Sequence, residues 1–247
     1  MPHVPDFSPF AAAYAAARPS YPPDLFEWLA RVAPAHDVAW DVATGNGQAA
    51  VGLAVHFDRV IATDISPQQL ANAAAHKRVE YRVGRAEASG LAAGSIDLVT
   101  VAAAIHWLDL PPFYAEAQRV LRPGGVLAAW TYHVARLDSQ PLQDVLEAFY
   151  MDVISPYFAP GVKLVDERYE TLELPGEPLE PPPLWVSVRW SADQVLRYVR
   201  TWSGVEEYRK ATGKDPVVAI ERAVKKALGG DAPVTLRFPL YVRASRL

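Results

Sequence analysis

Val38-Ala39-Trp40-Asp41-Val42-Ala43-Thr44-Gly45-Asn46-Gly47-Gln48-Ala49-Ala50 is the stretch on which the fold turns. A short apolar run over 38–43 ends in a glycine loop, and 48–56 then reads as a helix. Strand, glycine loop and helix together open a βαβ unit. Gly45 and Gly47 are free to take backbone angles that side chains forbid, and they let a ligand approach the main chain. The helix behind them offers unpaired N–H groups. An ordinary strand-to-helix turn would use the same residues, but the context favours a cofactor loop.

Working outward, 60–62 is apolar and β-branched and ends at Thr63-Asp64. Ser66 reads as an N-cap with Pro67 at the first helical position, opening a helix to about residue 75. Strands are expected over 79–83, 96–102 and 126–131, with a helix over 111–121 that stops at Pro123-Gly124-Gly125. This alternation predicts parallel strands joined by right-handed crossovers, in an open doubly wound α/β sheet. Ligands of such sheets sit beyond the carboxyl ends of the strands. The second half has another texture. It reads as helices over 139–153, 192–201 and 216–228, a Pro-rich connector over 175–183, and strands over 184–190 and 234–242. Pro239 in the last strand suggests an edge or a bulge.

Composition narrows the function. A chain of 247 residues with 51% hydrophobic content has enough apolar material for a substantial core. A net charge of -4 gives no electrostatic footprint for nucleic acid. The absence of cysteine excludes disulfides, thiolate metal sites and thiol catalysis, and no metal site is expected. The first ten residues lack the pattern of a signal peptide, and no apolar run is long enough to span a bilayer, so a cytoplasmic chain is expected.

Asp64 ends its strand 19 residues after Gly45, where a carboxylate is able to accept both ribose hydroxyls of a nucleoside cofactor. Its plainer reading is an N-cap or a solvated charge. These features do not by themselves separate a nicotinamide dinucleotide from S-adenosylmethionine. Gly45-Asn46-Gly47-Gln48-Ala49-Ala50 even fits a G-x-G-x-x-A fingerprint. Three observations count against the dinucleotide. Asp41 stands where a pyrophosphate would be repelled and an ammonium welcomed. The fourth strand ends in Ala104-Ile105-His106-Trp107, with no hydride-transfer set in view. No second mononucleotide-binding half follows.

The ordered set of motifs resembles the class I S-adenosylmethionine-dependent methyltransferases, within the methyltransferase type 11 group and its trans-aconitate methyltransferase-like members. The matching pieces are Tyr14 with Arg18-Pro19-Ser20-Tyr21-Pro22, Asp41 to Gly47, Ala62-Thr63-Asp64-Ile65-Ser66, Gly84-Arg85-Ala86-Glu87, Ser95-Ile96-Asp97-Leu98-Val99, Ala104-Ile105-His106-Trp107 and Glu116 to Gly125. They cover about residues 8 to 132.

The resemblance implies a mostly parallel seven-stranded sheet with an antiparallel C-terminal strand and a small helical lid. It divides the chain into a cofactor-binding core with an N-terminal cover (1–135), a lid forming the substrate pocket (136–233) and a closing strand (234–247). It places Asp41, Ala43, Gly45 and Gly47 at the methionine and ribose parts, Asp64 at the ribose hydroxyls, and Ile65 against the adenine. Ala86 and Glu87 flank the adenine edge, and Ala103 meets the methionine portion. Tyr14, Arg18 and Tyr21 form the cover over the cofactor, with Arg18 able to pair with the methionine carboxylate. His106, Trp107, Tyr132 and Trp202 are expected at the substrate, with His106 as a candidate base or a structural histidine. Arg197, Arg200 and Lys163 are candidates for binding an acidic substrate. Two departures stand out. Ala43 replaces the first loop glycine, and Arg85 stands where many relatives carry an acid. The expected activity is methyl transfer to a carboxylate or hydroxyl of a small molecule, by a monomer or homodimer without nucleic-acid or membrane partners. A nicotinamide oxidoreductase and a non-catalytic cofactor-binding protein remain the alternatives.

Overall fold

A computed structural model describes residues 18–133, 139–230 and 232–247. Its sheet begins with β1 (Val38–Val42), β2 (Arg59–Asp64), β3 (Val79–Val83), β4 (Ile96–Ala102) and β5 (Leu121–Tyr132), all parallel, in the order β3-β2-β1-β4-β5. β8 (Val234–Arg246) runs antiparallel to β5. Its far edge is shared by β6 (Glu177–Leu179), against its last residues, and β7 (Leu184–Trp190), against its first. Eight strands therefore fill the seven positions that the resemblance implies, and β8 alone opposes the rest. Pairing of β5 with β8 stops at Leu240, one residue short of Pro239, as a residue without an N–H predicts.

Helices cover both faces, so the central strands are buried on both sides and read as near-continuous apolar runs. Successive residues alternate between two cores. Ala39, Leu98, Ala128 and Trp130 belong to the first, with α1 (Pro23–Val32) and α2 (Gln48–Leu53) packed on them. Trp40, Val42, Val99, Val101 and Leu127 belong to the second, under α4 (Leu110–Val120). Helix α4 buries Phe113, Glu116, Ala117 and Val120, the i, i+3, i+4, i+7 stripe of a core-facing helix. Where α1 meets α2, Gly52 lies so near Phe26 that an added Cβ would come within 2.2 Å of its ring.

The glycine loop is held from beneath by Asp41. This carboxylate is fully buried. It accepts hydrogen bonds from the Thr44 hydroxyl at 2.5 Å and from the Thr100 hydroxyl of β4 at 2.8 Å. Burial pushes its pKa up to about 6, against the two hydroxyls, which favour the charged form. Above the loop, the Gly45 N–H donates to Asp64 at 2.8 Å, and Gly47 caps α2 at φ 81. Ala43 also sits at positive φ, 51. A glycine would rest there without strain, and the methyl group costs about 1–2 kcal/mol.

The expected elements shift where tertiary contacts intervene. The helix expected to reach residue 75 is α3 (Pro67–Ala71), capped by the Ser66 side chain as read. It stops early because the chain turns toward β3, where the Tyr81 hydroxyl donates to Ala74 O at 2.8 Å. The segment expected as a helical lid supplies β7 where a strand is expected, over 184–190, and adds β6 within the Pro-rich stretch. Its helices are α5 (Gln140–Ala148), α6 (Lys163–Asp166), α7 (Ala192–Val199), α8 (Ser203–Thr212) and α9 (Glu221–Ala227). Among the described residues, no helix is long and apolar enough to cross a membrane.

Gly52→Ala is expected to destabilise the chain by about 1–3 kcal/mol through overpacking. Denaturant titration reads this, and Phe26→Leu in the same chain should recover part of it. Asp41 makes a pH-dependent contribution. Its pKa is 3.8 when unfolded and about 6 when folded. The folded state therefore holds the extra proton between these values, and stability falls as pH rises through that window. The difference in unfolding free energy between wild type and Asp41→Asn, measured from pH 4 to 7, should change in the variant's favour by up to about 3 kcal/mol. A flat difference would contradict the buried, unneutralised carboxylate.

Candidate active site

Two chambers open at the carboxyl ends of β1, β2 and β4. The larger has a volume of about 630 Å³. One wall is the glycine loop, through Ala43, Thr44, Gly45 and Asn46, and the start of α2, through Gln48 and Ala49. Asp64 closes the next strand. Its two oxygens accept the N–H groups of Gly45 and Ser66, at 2.8 and 2.9 Å, and the Ile65 N–H adds to these, with lone-pair capacity left for a ligand. Burial raises its pKa, against the hydrogen bonds of Ser66 and Gly45. Ile65 is 56% exposed yet lines the chamber, an apolar face offered to a flat ligand.

The far wall is the 84–87 loop. Arg85 and Glu87 both line it and approach each other to 3.4 Å, so the arginine sits beside the carboxylate. This loop is pinned to α4. Glu116 accepts from the Ser89 N–H at 2.8 Å, and Arg119 donates to both Glu116 and Leu91 O. The Glu116–Arg119 part of the motif therefore has a structural task. Gln69 fits the same kind of ligand. It is 6% exposed, it lines the chamber, and its Oε1 has no hydrogen-bond partner among the described residues. A buried amide oxygen is normally paired, and a ligand hydroxyl or amine there would complete it. A nucleoside fits this donor and acceptor set.

The smaller chamber, about 100 Å³, lies alongside. Arg18, Ala103, Trp107 and Tyr132 line both. Arg18 stands at the junction, with its guanidinium 3.3 Å from the Tyr132 hydroxyl, 3.3 Å from Thr201 O and 5.2 Å from the centre of the Tyr198 ring. His106 lines the smaller chamber from the 3-10 turn Ile105–Trp107. Burial, then the charge of Arg18, hold its pKa down to about 3, with Asp166 acting weakly the other way. Its imidazole is neutral at pH 7. On the lid side the wall is aromatic, formed by Tyr150, Phe158, Tyr198 and Trp202.

The structure thus brings Arg18, Tyr21, Ala43, Gly45, Asp64, Ile65, Ala86, Glu87 and Ala103 to the larger chamber, and His106, Trp107, Tyr132 and Trp202 to the smaller. Asp41 and Gly47 line neither. Asp41 faces down between two threonines, and Gly47 turns the chain where a Cβ would strike the Tyr81 hydroxyl. Tyr14 lies outside the described residues. Arg200 is spent on Asp215 and Glu221, Lys163 pairs with Glu167, and neither they nor Arg197 line a chamber. Sequence reasoning missed Gln69 and Thr44. Gln69 follows two residues after the helix-opening Pro67, and its place in the first turn beside Asp64 was the available signal.

Comparison with known proteins agrees with this geometry. A methyltransferase domain family matches residues 40–129. A protein of Dictyostelium discoideum, named as a methyltransferase, is 33% identical over 97% of this chain and 94% of its own length. The Aspergillus terreus methyltransferase pgmE is 35% identical over 64% of this chain and 52% of its own. A solved structure from Anaeromyxobacter dehalogenans, described as a type II methyltransferase, is 42% identical, covers 93% of this chain and 97% of its own, and superposes with a TM-score of 0.84. The family uses S-adenosylmethionine as methyl donor, which removes the nicotinamide alternative. The chain belongs to the class I S-adenosylmethionine-dependent methyltransferases.

Proposed function

We propose that this enzyme methylates an oxygen of a small-molecule acceptor held in the smaller chamber, with S-adenosylmethionine in the larger. One observation carries the reading: the two chambers meet, and Arg18, Ala103, Trp107 and Tyr132 line both. Asp64 would accept the ribose hydroxyls on its remaining lone pairs, and Gln69 would take a further hydroxyl. Ile65 and Ala86 would face the adenine, with Glu87 accepting from its amine. Tyr21, Gly45 and Ala103 would meet the methionine portion, while Asp41 and Gly47 shape the loop from behind. When bound, S-adenosylmethionine supplies a methyl already activated on a sulfonium. The task of the chain is then alignment and exclusion of water.

The acceptor is better read as a carboxylate than as a hydroxyl. A hydroxyl needs a base, and an imidazole with a pKa of about 3 is too weak to serve well near neutral pH. A carboxylate arrives ionised and needs none. Arg18 at the junction is suited to an anionic acceptor. The resemblance to the trans-aconitate methyltransferase-like group favours the same class. The assembly needed for this chemistry is a single chain, acting on a diffusible substrate.

S-adenosylhomocysteine is expected to raise the melting temperature, because it binds only the folded state. NAD and NADP should leave it unchanged, and Asp64→Ala should abolish the shift. Incubation with methyl-labelled S-adenosylmethionine and a metabolite extract should yield label released as methanol by mild base, the mark of an ester. Label that survives base would overturn the carboxylate reading. Methyl transfer should also vary little between pH 7 and 8, above the range in which Asp41 titrates, since His106 does not titrate there.

A further inference from the structure

The smaller chamber holds an imidazole whose orientation its own turn does not fix. His106 belongs to a three-residue 3-10 turn. Its ring packs obliquely on Trp107, with centroids 4.4 Å apart. Its Nδ1 lies 2.9 Å from the hydroxyl of Tyr169, a residue 63 positions away. Its Nε2 has no hydrogen-bond partner among the described residues, and the ring lines the chamber. A ring tied at Nδ1 leaves its other nitrogen for another partner.

Tyr169 reaches this place from an unusual turn. Arg168 and Tyr169 have φ 55 and 57, two successive left-handed residues with bulky side chains. Such residues avoid this region unless the surroundings hold them there. Several contacts do so. The Tyr169 N–H donates to Leu164 O at 2.8 Å. Arg243 of β8 donates from Nε to the Tyr169 carbonyl at 2.7 Å. The Arg168 guanidinium lies 5.8 Å from the centre of the Tyr241 ring, also on β8. Tyr169 is fully buried in the second core. A phenylalanine would keep that apolar packing, including the ring contact with His106 at 6.2 Å between centroids, and would lose the hydroxyl that meets Nδ1. The lid also sits flush on the same turn: a Cβ on Gly161 would come within 2.2 Å of the His106 carbonyl oxygen.

We propose that Tyr169 is a positioning residue, which holds the His106 imidazole by Nδ1 in one tautomer and one orientation so that Nε2 faces the acceptor. Tyr169 does not touch the acceptor itself. It acts through His106, and it depends on β8 to hold its turn. The charged groups acting on the ring are Arg18 and Asp166. The proposal rests on the acceptor site described above only for what His106 faces.

The test is the side-chain 1H–15N spectrum of the full chain, labelled on histidine and saturated with S-adenosylhomocysteine. His106→Asn identifies the signals among six histidines. In wild type His106 should be neutral and in a single tautomer from pH 5 to 8. In Tyr169→Phe its two nitrogens should move toward the averaged positions of mixed tautomers, with S-adenosylhomocysteine affinity kept within about two-fold. Base-labile methyl transfer into the metabolite extract should fall roughly ten-fold, because an imidazole free to change tautomer holds the acceptor less well in line. A wild-type His106 in mixed tautomers overturns the proposal, as does a Tyr169→Phe spectrum or rate that matches wild type. Once His106→Asn has assigned its signals, the wild-type spectrum needs neither Tyr169→Phe to fold nor any acceptor, so its outcome stands apart from the fate of the carboxylate reading.

Discussion

A carboxylate removed from water is the constraint around which this site is built. Asp41 is buried at the end of β1, and its side-chain partners among the described residues are two hydroxyls, one from the loop and one from the neighbouring strand. Those two threonines tie three things together: β1, β4 and the turn of the glycine loop. Because Thr44 is drawn down to Asp41, the next residue turns its backbone the other way. The Gly45 N–H then reaches Asp64, at the end of β2. A second tie between the same strands runs from the Trp40 indole N–H to the Thr63 hydroxyl, at 2.9 Å. Two buried acids thus hold the rim of the larger chamber, one from below and one from the side. Desolvation works against both, and hydrogen bonding to the ionised form works for both.

The smaller chamber is assembled on another plan. Its walls come from distant parts of the chain: Arg18, the end of β4, the end of β5, the lid, and the first residues after α7. What brings them into register is β8. It pairs with β5 on one side and with β6 and β7 on the other, so the second half is stitched to the sheet rather than merely laid on it. Arg243 extends this tie to the turn that carries Tyr169. Aromatic rings then fill the space under the lid. Tyr150 stacks near Phe158 at 4.8 Å, and Trp202 meets Tyr198 edge to face at 5.7 Å. These rings supply area and stiffness with few rotatable bonds, and they suit a closed, water-poor chamber.

Much of the core was legible because local patterns and tertiary demands agree there. The apolar run ending at Asp41, the loop glycines, Ser66 as a cap and Asp64 at a strand end are all read from short-range chemistry. Ala43 was legible as a departure, and its left-handed backbone shows why glycine is the easier residue at that point. The direction of the Asp41 side chain was not legible, because it depends on Thr100, 59 residues away. The placement of Tyr169 beside His106 was hidden for the same reason. Helix α1 carried a signal that went unread, with Pro23 at its first position, Asp24 in its first turn and Leu25, Phe26, Trp28 and Leu29 on one face. The shared outer edge of β6 and β7 depends on how β8 crosses the sheet, and no local pattern encodes that.

On the proposed function, one continuous cavity holds the methyl donor at the Gly45–Asp64 rim and presents its reactive end to the chamber of His106. A crystal structure with S-adenosylhomocysteine decides this. Ribose hydroxyls are expected on Asp64, adenine against Ile65, and the sulfur at the junction beside Ala103 and Trp107. Adenine in the smaller chamber, or a sulfur pointing away from that junction, would contradict it.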